Sequence, residues 1–580
     1  MITAMEPCNY ATMFLQRFWI TLFLVFISCF GLNSAVDAFD QSRTNNMFGI
    51  HVATPSREEL ENAAKLVNTN GGNWGYVTVV IQENDRNKQK WQEAFDRMRE
   101  LRLIPIVRLA TKPIGSTWAR PKPDEISNWV NFLDSLNWVV KDRYIVLFNE
   151  PNHGQEWEGE VSPEEFADIS LRYIKALKTS NSEYFTMLGG LDLAAASNGE
   201  DMDEYEFLRR VFISKPELKE SIDGLSSHSY PNPGFSGSPS AVGRLSIHGY
   251  EWELELLKEL GVKKELPVFI TETGWIHSGA DPTGLDEKFI TAFSIWKADP
   301  RVRAVTPFIL SYQSDPFLQF SWQKPNSQEF YSHYHAVTEM NKILGDPDQV
   351  QKGELKQTLP NDLLADSTYH FTVKLRNDGQ AVWTSKDGYA MKFAITEKKE
   401  GLEYFFGNLD GIKPGDEREI DLYMKTSDQG PARQAVLNLY KNDREVLKSV
   451  KWSFRVLPLP SLVIKTSLFP RIRAKKERDF ELQIFNNKEE LVFKQKGIRR
   501  INGELQVPEV KNVYLKGTFR VVILSQYYLP RQTFVRFEKG LNTASIKAML
   551  PLDFFPDGTF SWRDIFEVLK NPRLLGLFLP

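Results

Sequence analysis

Cysteine is almost absent from this sequence: its 580 residues include only Cys8 and Cys29. Both lie in the N-terminal segment, so a chain cleaved after that segment would contain no cysteine. The absence of cysteine from such a chain excludes a fold held together by disulfides and a metal site with cysteine ligands. The length is sufficient for two to four domains with cores of their own.

Long apolar runs are scarce as well. One of about 15 residues, FWITLFLVFISCFGL at 18–32, is followed by NSAVDA, in which Val36 and Ala38 are small residues placed for signal peptidase, with cleavage before Phe39. A transmembrane helix needs about 20 residues, so we predict a secretory signal. The alternatives are an uncleaved anchor, and lipidation at Cys29, for which the FIS lead-in is poor.

The sequence also lacks a low-complexity segment and a recognisable nucleic-acid module. Hydrophobic residues make up 42% and charged residues 25%, as in a globular protein. Lys and Arg outnumber Asp and Glu over 461–580, and we predict a solvated surface there rather than a nucleic-acid partner. We expect a secreted or extracytoplasmic protein, with residues 1–38 as its route to membrane or cell-surface attachment.

What is present, from about residue 45 to 345, is an alternation of apolar runs and helix-like segments. Eight such runs separated by helices favour an α/β fold, a (β/α)8 TIM barrel. A doubly wound open sheet is the alternative, but no glycine-rich phosphate loop supports it. One helix start is clear in SREE, where Ser56 can cap and Glu59 can reach back. The eight candidate strands are 48–54, 74–82, 104–110, 144–150, 185–193, 222–230, 267–275 and 302–310.

After about residue 350 the pattern becomes that of strands separated by NDG and KDG turns. We predict a β-sandwich at 350–459 and a small β-domain at 461–580. The turn at 377–379, followed by Trp383, resembles the immunoglobulin-like modules of bacterial secreted enzymes, and Trp383 is expected to pack a core. The segment 553–564 has the spacing of a degenerate dockerin-like calcium loop, but Phe555 replaces one ligand. We favour a turn and a helix capped by Ser561.

Polar residues follow the predicted barrel strands where each strand ends. In such a barrel, the C-terminal ends of the strands build the active site. This end of the barrel is called its mouth below. Retaining glycoside hydrolysis requires two carboxylates at such a site, one as nucleophile and one as acid/base. The residues expected to converge there are Arg108, Asn149, Glu150, His228, Tyr230, Glu272, Trp275 and Trp322.

The motif FNEPN after the fourth strand, with TETGW after the seventh, resembles clan A of the glycoside hydrolases, the 4/7 superfamily, and is similar to its families 5 and 39. The resemblance covers the barrel alone. It implies Glu150 as acid/base and Glu272 as nucleophile. It also implies Asn149 as a partner of the sugar 2-hydroxyl and Tyr230 as a partner of the nucleophile.

Around this pair, His228 is expected to line the same subsite and Arg108 to hold Glu272 ionised. Many clan members place such an arginine nearer the second strand, so the position of Arg108 is a departure from the pattern. Trp275 and Trp322 are candidates for stacking on sugar faces, with core packing as the alternative.

The predicted function is hydrolysis of an oligo- or polysaccharide by a retaining glycosidase. No metal or organic cofactor is needed, because carboxylates fill both chemical roles. A catalytically inactive carbohydrate-binding barrel, and a transglycosylase with the same residues, are the alternatives. The sequence does not distinguish cleavage inside a sugar chain from cleavage at its end.

Overall fold

The computed structural model of the chain describes residues 44–277, 284–395, 402–427, 429–469 and 479–577. The predicted signal segment at 18–32, with Cys29, lies outside these residues, as does Cys8. Within the described ranges, no helix is long and apolar enough to cross a membrane.

Eight parallel strands form the N-terminal half of the molecule, as predicted. The first five are hydrogen-bonded in chain order, and the last three form a second sheet. A bridge between Phe48 and Val305 joins the first strand to the eighth, and one between Asp192 and His228 joins the segments after the fifth and sixth. The ring is therefore closed. The strands are β1 Gly49–Val52, β2 Gly75–Gln82, β3 Leu103–Ala110, β4 Arg143–Leu147, β5 Tyr184–Leu188, β6 Leu225–Ser227, β7 Val268–Ile270 and β8 Val302–Val305.

Helices connect these strands. The first begins at the predicted cap, because the Ser56 hydroxyl accepts a hydrogen bond from the Glu59 N–H at 3.1 Å. The Glu59 carboxylate reaches back further than predicted, to the N–H groups of Ala53 and Thr54 rather than to that of Ser56. The helices are α1 Arg57–Val67, α2 Lys88–Leu101, α3 Ile126–Asp134, α4 Pro163–Ser180, α5 Glu204–Ser214, α6 Leu218–Ser221, α7 Gly249–Glu259, α8 Leu285–Ala298 and α9 Ser332–Glu339.

The base of the barrel is closed by aromatic rings. Tyr144 and Phe185 near the starts of β4 and β5 contact Phe269 of β7, with ring centroids 5.1 and 5.5 Å apart. Tyr76 of β2 packs edge-on against Tyr144. Because this end is filled, the interior is a packed core rather than a pore, and a ligand can enter only from the opposite end.

Two four-stranded sheets follow the barrel and share one hydrophobic core, which is a sandwich arrangement. Trp383 lies in that core and is completely buried, as the sequence predicted. The strands are β9 Gly353–Lys356, β10 Asp362–Leu364, β11 Thr368–Asn377, β12 Tyr389–Ile395, β13 Leu402–Phe406, β14 Glu417–Thr426, β15 Gly430–Lys441 and β16 Arg444–Leu457.

A seven-stranded sheet completes the described chain, followed by helix α10 Trp562–Lys570. Ser561 caps this helix, and Asp564 accepts hydrogen bonds from the Ser561 and Phe555 N–H groups at 2.7 and 2.9 Å. The predicted capped helix is therefore confirmed. The strands are β17 Ser461–Lys465, β18 Asp479–Phe485, β19 Leu491–Ile501, β20 Glu504–Val507, β21 Thr518–Ser525, β22 Tyr528–Arg536 and β23 Leu541–Ser545.

The sandwich attaches to the base of the barrel. Asn137, just before β4, donates a hydrogen bond to the Gly379 carbonyl at 3.0 Å. Arg102, just before β3, pairs with Asp387 at 2.7 Å. Both barrel residues precede strands, so the β-rich region lies away from the C-terminal strand ends.

Candidate active site

A cavity of about 630 Å³ lies at the C-terminal ends of the barrel strands. Five of the eight residues predicted from the strand-end rule line it. Residues from the loops after β1, β3, β4, β6 and β8 complete its wall. The five are Arg108, Asn149, Glu150, Tyr230 and Glu272.

The chain turns sharply where β4 ends, and this turn presents Glu150. Phe148 and Glu150 have φ of 70° and 29°, which is left-handed backbone that non-glycine residues rarely adopt. The Glu150 N–H donates to the Gly190 carbonyl at 3.0 Å, which ties the turn to the end of β5. Strained backbone of this kind clusters at functional sites, where surrounding structure holds it in place.

Glu150 and Glu272 meet over the centre of the mouth. One carboxylate oxygen of each, together with a ring nitrogen of His228, lies within 4.8 Å of the others. His228 Nδ1 is 2.8 Å from Glu150 Oε1 and 3.9 Å from Glu272 Oε2. Burial lowers the pKa of His228, but the charges of Glu272 and Glu150 outweigh burial and raise it above its ordinary value. His228 thus contacts both carboxylates, but it does not line the cavity, which corrects the expectation that it lines the subsite.

Close packing fixes the ring of His228. A Cβ atom at Gly190 would lie 2.3 Å from its Cδ2 atom. Real Cβ atoms do not approach other heavy atoms so closely, so only glycine allows the ring to occupy this place. The sequence GGLD at 189–192 therefore serves the histidine that contacts Glu150.

Glu272 is the more tightly held of the two glutamates. Arg108 Nη1 donates to its Oε1 atom, and the Tyr230 hydroxyl donates to Oε2 at 3.1 Å. Burial raises the pKa of Glu272, but the positive charges of His228 and Arg108 outweigh burial and hold the pKa well below its usual range. Its side chain is 10% exposed, against 22% for Glu150. Glu272 is therefore a stable, oriented carboxylate.

Asn149 belongs to the same network. Its Oδ1 atom accepts from Arg108 Nη1 at 2.5 Å, and its side chain lies beside Glu156, whose pKa it acts to lower. Since Oδ1 faces the arginine, the amide nitrogen faces Glu156 and the cavity. From its position on β3, the Arg108 guanidinium therefore contacts and orients both Glu272 and Asn149.

His51 and Glu156 are among the residues of the site that were missed from the sequence. His51 on β1 lies 3.8 Å from Glu272 Oε1, and burial with the charge of Arg108 lowers its pKa to about 3, so it is neutral. Glu156 lines the cavity, and burial together with the charge of Glu150 raises its pKa to about 7. The strand-end rule, applied to GIHV, could have found His51. Glu156 lies in a loop whose sequence carries no signal.

Trp275 and Trp322 do not reach the cavity, which corrects the expectation that they stack on sugar. Trp275 is 2% exposed and Trp322 is 1% exposed. Both rings pack on Phe289 of α8, with centroids 5.0 and 4.6 Å away, and Trp275 Nε1 donates to the Gly237 carbonyl. Apolar surface of α8 covers them, so core packing decides their role.

The grouping of Glu150, His228 and Glu272 is the one set of three side chains with metal-like spacing among the described residues. The guanidinium of Arg108 already binds Glu272 in that space. A divalent cation would be repelled by this fixed positive charge. The donor set therefore fits a pair of carboxylates with an internal counter-ion better than it fits a metal.

No protein-family model matches the sequence, and no curated protein matches it. The structure is similar to a glucosidase from Croceicoccus marinus, at 10% identity over 81% of this chain and 95% of that one, with a TM-score of 0.39. It is also similar to a beta-mannanase from Thermomonospora fusca, at 15% identity over 50% of this chain and 83% of that one, with a TM-score of 0.32. A family 51 alpha-L-arabinofuranosidase from Bifidobacterium longum is 11% identical over 82% of this chain and 96% of that one, with a TM-score of 0.35. These TM-scores are too low to decide fold or activity.

Proposed function

We propose that the chain is a retaining glycoside hydrolase that cleaves O-glycosidic bonds of an oligo- or polysaccharide. The observation that carries this proposal is the approach of Glu150 and Glu272 to within 4.8 Å at the barrel mouth. Retaining enzymes hold their carboxyl groups about 5–5.5 Å apart, whereas inverting enzymes need about 6.5–9.5 Å to admit a water. The close approach of the two carboxylates supports the retaining spacing.

The surroundings of the two glutamates divide their roles. Glu272 is kept ionised by Arg108 and oriented by Tyr230, as a nucleophile must be. Glu150 has His228 as its hydrogen-bond partner, is more exposed, and can exchange a proton with a leaving group. This supports Glu272 as nucleophile and Glu150 as acid/base, as the motif resemblance implies.

The reaction then proceeds in two displacements. Glu272 attacks the anomeric carbon while Glu150 transfers its proton to the departing oxygen, which leaves a covalent glycosyl-enzyme. Glu150, now ionised, takes a proton from a water that attacks the same carbon and releases Glu272. Asn149 offers its amide nitrogen to the sugar 2-hydroxyl, a contact that strengthens as positive charge develops on the ring. No step requires a cofactor.

The remaining assignments are part of the same proposal. We assign the barrel to clan A on its two motifs, and the region after residue 350 to accessory immunoglobulin-like and small β-domains. Because the sandwich contacts the barrel base through Asn137 and Arg102, it positions the barrel without lining the cavity. The apolar segment at 18–32 supports a secreted or surface-attached location.

The stereochemistry of the first product tests the proposal. With aryl β-glycosides of glucose, mannose, galactose, xylose and N-acetylglucosamine, we expect at least one to be hydrolysed, with the β-hemiacetal as the first sugar seen by proton NMR. The α-anomer should appear only later, through mutarotation. An α-anomer as the first product would contradict the retaining mechanism.

Absence of turnover has a distinct meaning. If neither the aryl panel nor β-linked polysaccharides are hydrolysed, while polysaccharide binding persists in affinity electrophoresis, the chain is a carbohydrate-binding barrel. Formation of longer oligosaccharides from an added sugar acceptor would instead indicate transglycosylation, which uses the same glycosyl-enzyme.

The acidic limb of the pH profile should respond to Arg108. Its charge lowers the pKa of Glu272, so Arg108→Gln should raise that pKa and protonate the nucleophile at higher pH. We expect the acidic limb of kcat/KM to move up by about 1–3 pH units, the range for a carboxylate beside an arginine. Arg108→Lys keeps the charge and should shift the limb less. Equal profiles for the three proteins would contradict the role of Arg108.

A further inference from the structure

Helix α10 turns an apolar face toward solvent. Trp562, Phe566 and Leu569 follow one another at the i, i+4 and i+7 positions, so they share one side of the helix. Their side chains are 76%, 60% and 69% exposed. Phe560 before the helix and Leu575 after it are exposed as well. A single exposed apolar side chain needs no explanation, whereas several neighbours on one face mark an interaction site.

The helix is held in place without that face. Asp564 is completely buried, and its carboxylate accepts from the N–H groups of Ser561 and Phe555 at 2.7 and 2.9 Å. The preceding segment is attached just before β22, where the Asp553 N–H donates to the Tyr527 carbonyl at 3.2 Å. Within the part of the chain that the structure describes, no residue of α10 belongs to the hydrophobic core of the seven-stranded sheet. Polar caps therefore fix the helix and leave its apolar face available.

Positive charge borders the apolar face. Arg563 and Lys570 are seven positions apart on α10, so they lie along one edge of the face, and both are exposed. Arg573 follows the helix and is exposed too. Of the two acidic residues of α10, Asp564 is buried in the cap and Glu567 lies 3.2 Å from Lys570. Arg563 and Arg573 form no ion pair with any described residue, so the border is cationic.

The size and charge of the face select among occupants. The nine residues of α10 span about 14 Å, and one side of so short a helix falls far below the about 800 Å² that each partner buries in a stable protein interface. A second copy of the chain would place the same cationic border on both sides of a twofold interface, where like charges repel. A membrane with anionic lipids avoids both problems, because its acyl chains receive the apolar face and its phosphates attract the border.

We propose that α10 is an interfacial anchor that binds the chain to the surface of a membrane containing anionic lipids. Its apolar side chains enter the boundary between headgroups and acyl chains, where tryptophan is favoured. The bordering cations contact lipid phosphates. Lys and Arg outnumber Asp and Glu over 461–469 and 479–577, which adds attraction at longer range. This binding does not depend on the proposed glycosidase activity.

The helix lies on the membrane and does not cross it. The hydrocarbon core is about 30 Å thick, roughly twice the length of α10. Short interfacial helices bind reversibly, and the part of their affinity that comes from charge is screened by salt. A chain from which the apolar segment at 18–32 has been removed would therefore keep a reversible membrane contact through α10.

The test is flotation of the chain from Phe39 onward, the form expected after signal cleavage, over a series of lipid concentrations. The vesicles consist of phosphatidylcholine, alone or with added phosphatidylglycerol. We expect binding to the anionic vesicles to be tighter by about tenfold or more, since each cation near such a surface adds about fivefold. Raising the salt to about 1 M should remove the difference, because the Debye length falls to about 3 Å. The triple variant Trp562→Ser, Phe566→Ser and Leu569→Ser should bind neither vesicle.

Three further variants separate α10 from other surfaces. Ile213→Ser is the matched control, because Ile213 is a similarly exposed apolar residue on α5, and it should bind like the parent. Trp562→Phe keeps the apolar face, so it should bind but lose most of the fluorescence quenching by brominated lipid. Arg563→Gln combined with Arg573→Gln should lower the preference for anionic vesicles. All of these side chains are exposed, so thermal unfolding should not change.

Three results would overturn the proposal: no binding to anionic vesicles, binding that the triple variant retains, or equal binding to anionic and neutral vesicles at about 0.1 M salt, where screening is still weak over about 10 Å. Sedimentation velocity tests the other occupant. A dimer that the triple variant abolishes, without vesicle binding by the parent, would assign the face to a second copy of the chain and reject the membrane.

Discussion

Glu272→Ala is expected to lower kcat on aryl β-glycosides by about 10⁴–10⁶-fold, the range found when a nucleophile is removed from a cooperating catalytic unit. The covalent intermediate cannot form without this carboxylate. Sodium azide should restore turnover in Glu272→Ala, since the small anion fits the vacated space and attacks the anomeric carbon from the face the carboxylate used. The product should be the α-glycosyl azide, identified by NMR.

Stability must be separated from chemistry in this experiment. Alanine leaves the Arg108 guanidinium, 12% exposed, without its carboxylate partner and with only Asn149 as an acceptor. Breaking a buried ion pair in this way costs about 3–5 kcal/mol. Glu272→Gln keeps the shape and an oxygen acceptor, so it should remain folded in thermal unfolding and still be inactive. The control is Glu259→Gln, an exposed glutamate on α7. If the activity of Glu272→Gln is within tenfold of that of the parent, Glu272 is not the nucleophile.

Glu150→Gln should produce a loss that depends on the leaving group. Acid catalysis contributes about 10²–10⁴-fold, and we expect a loss of that size for alkyl or oligosaccharide leaving groups that need a proton. 2,4-Dinitrophenolate needs none, so its release should continue and give a burst followed by slow deglycosylation. Azide should then yield the β-glycosyl azide, because it attacks the intermediate from the face opposite Glu272.

Glu156 provides the matched control for this prediction. It is a second carboxyl group in the same cavity, and its pKa of about 7 would suit a general acid. If Glu150 is the acid, Glu156→Gln should keep the leaving-group dependence of the parent and lose at most the orientation of Asn149. The opposite pattern, with a leaving-group-dependent loss in Glu156→Gln alone, would transfer the role to Glu156.

Local pattern was sufficient to find the barrel strands and most of the site. Runs such as YIVLF identify strands buried on both faces, and the direction of a parallel strand follows from that of the chain. The polar residue that follows each run must then lie at the same mouth. Arg108, Asn149, Glu150, Tyr230 and Glu272 were found in this way, although Arg108 and Glu272 are 164 positions apart in sequence.

The same reasoning was wrong for Trp275 and Trp322. Both follow barrel strands, as the site residues do, but their rings turn away from the mouth and are covered by Phe289. Whether a ring beyond a strand end points inward or outward depends on how a helix far along the chain packs. Nothing within a short window of sequence encodes that packing.

The sequence by itself therefore determined the strand order, the shared mouth and the pair of glutamates, because periodicity and chain direction are local properties. The tertiary structure alone decided the distance between Glu150 and Glu272 and the presence of Glu156 in the cavity. Both depend on the path of the loops between strands. Contacts between residues distant in sequence set that path, and those contacts form only once the barrel has closed.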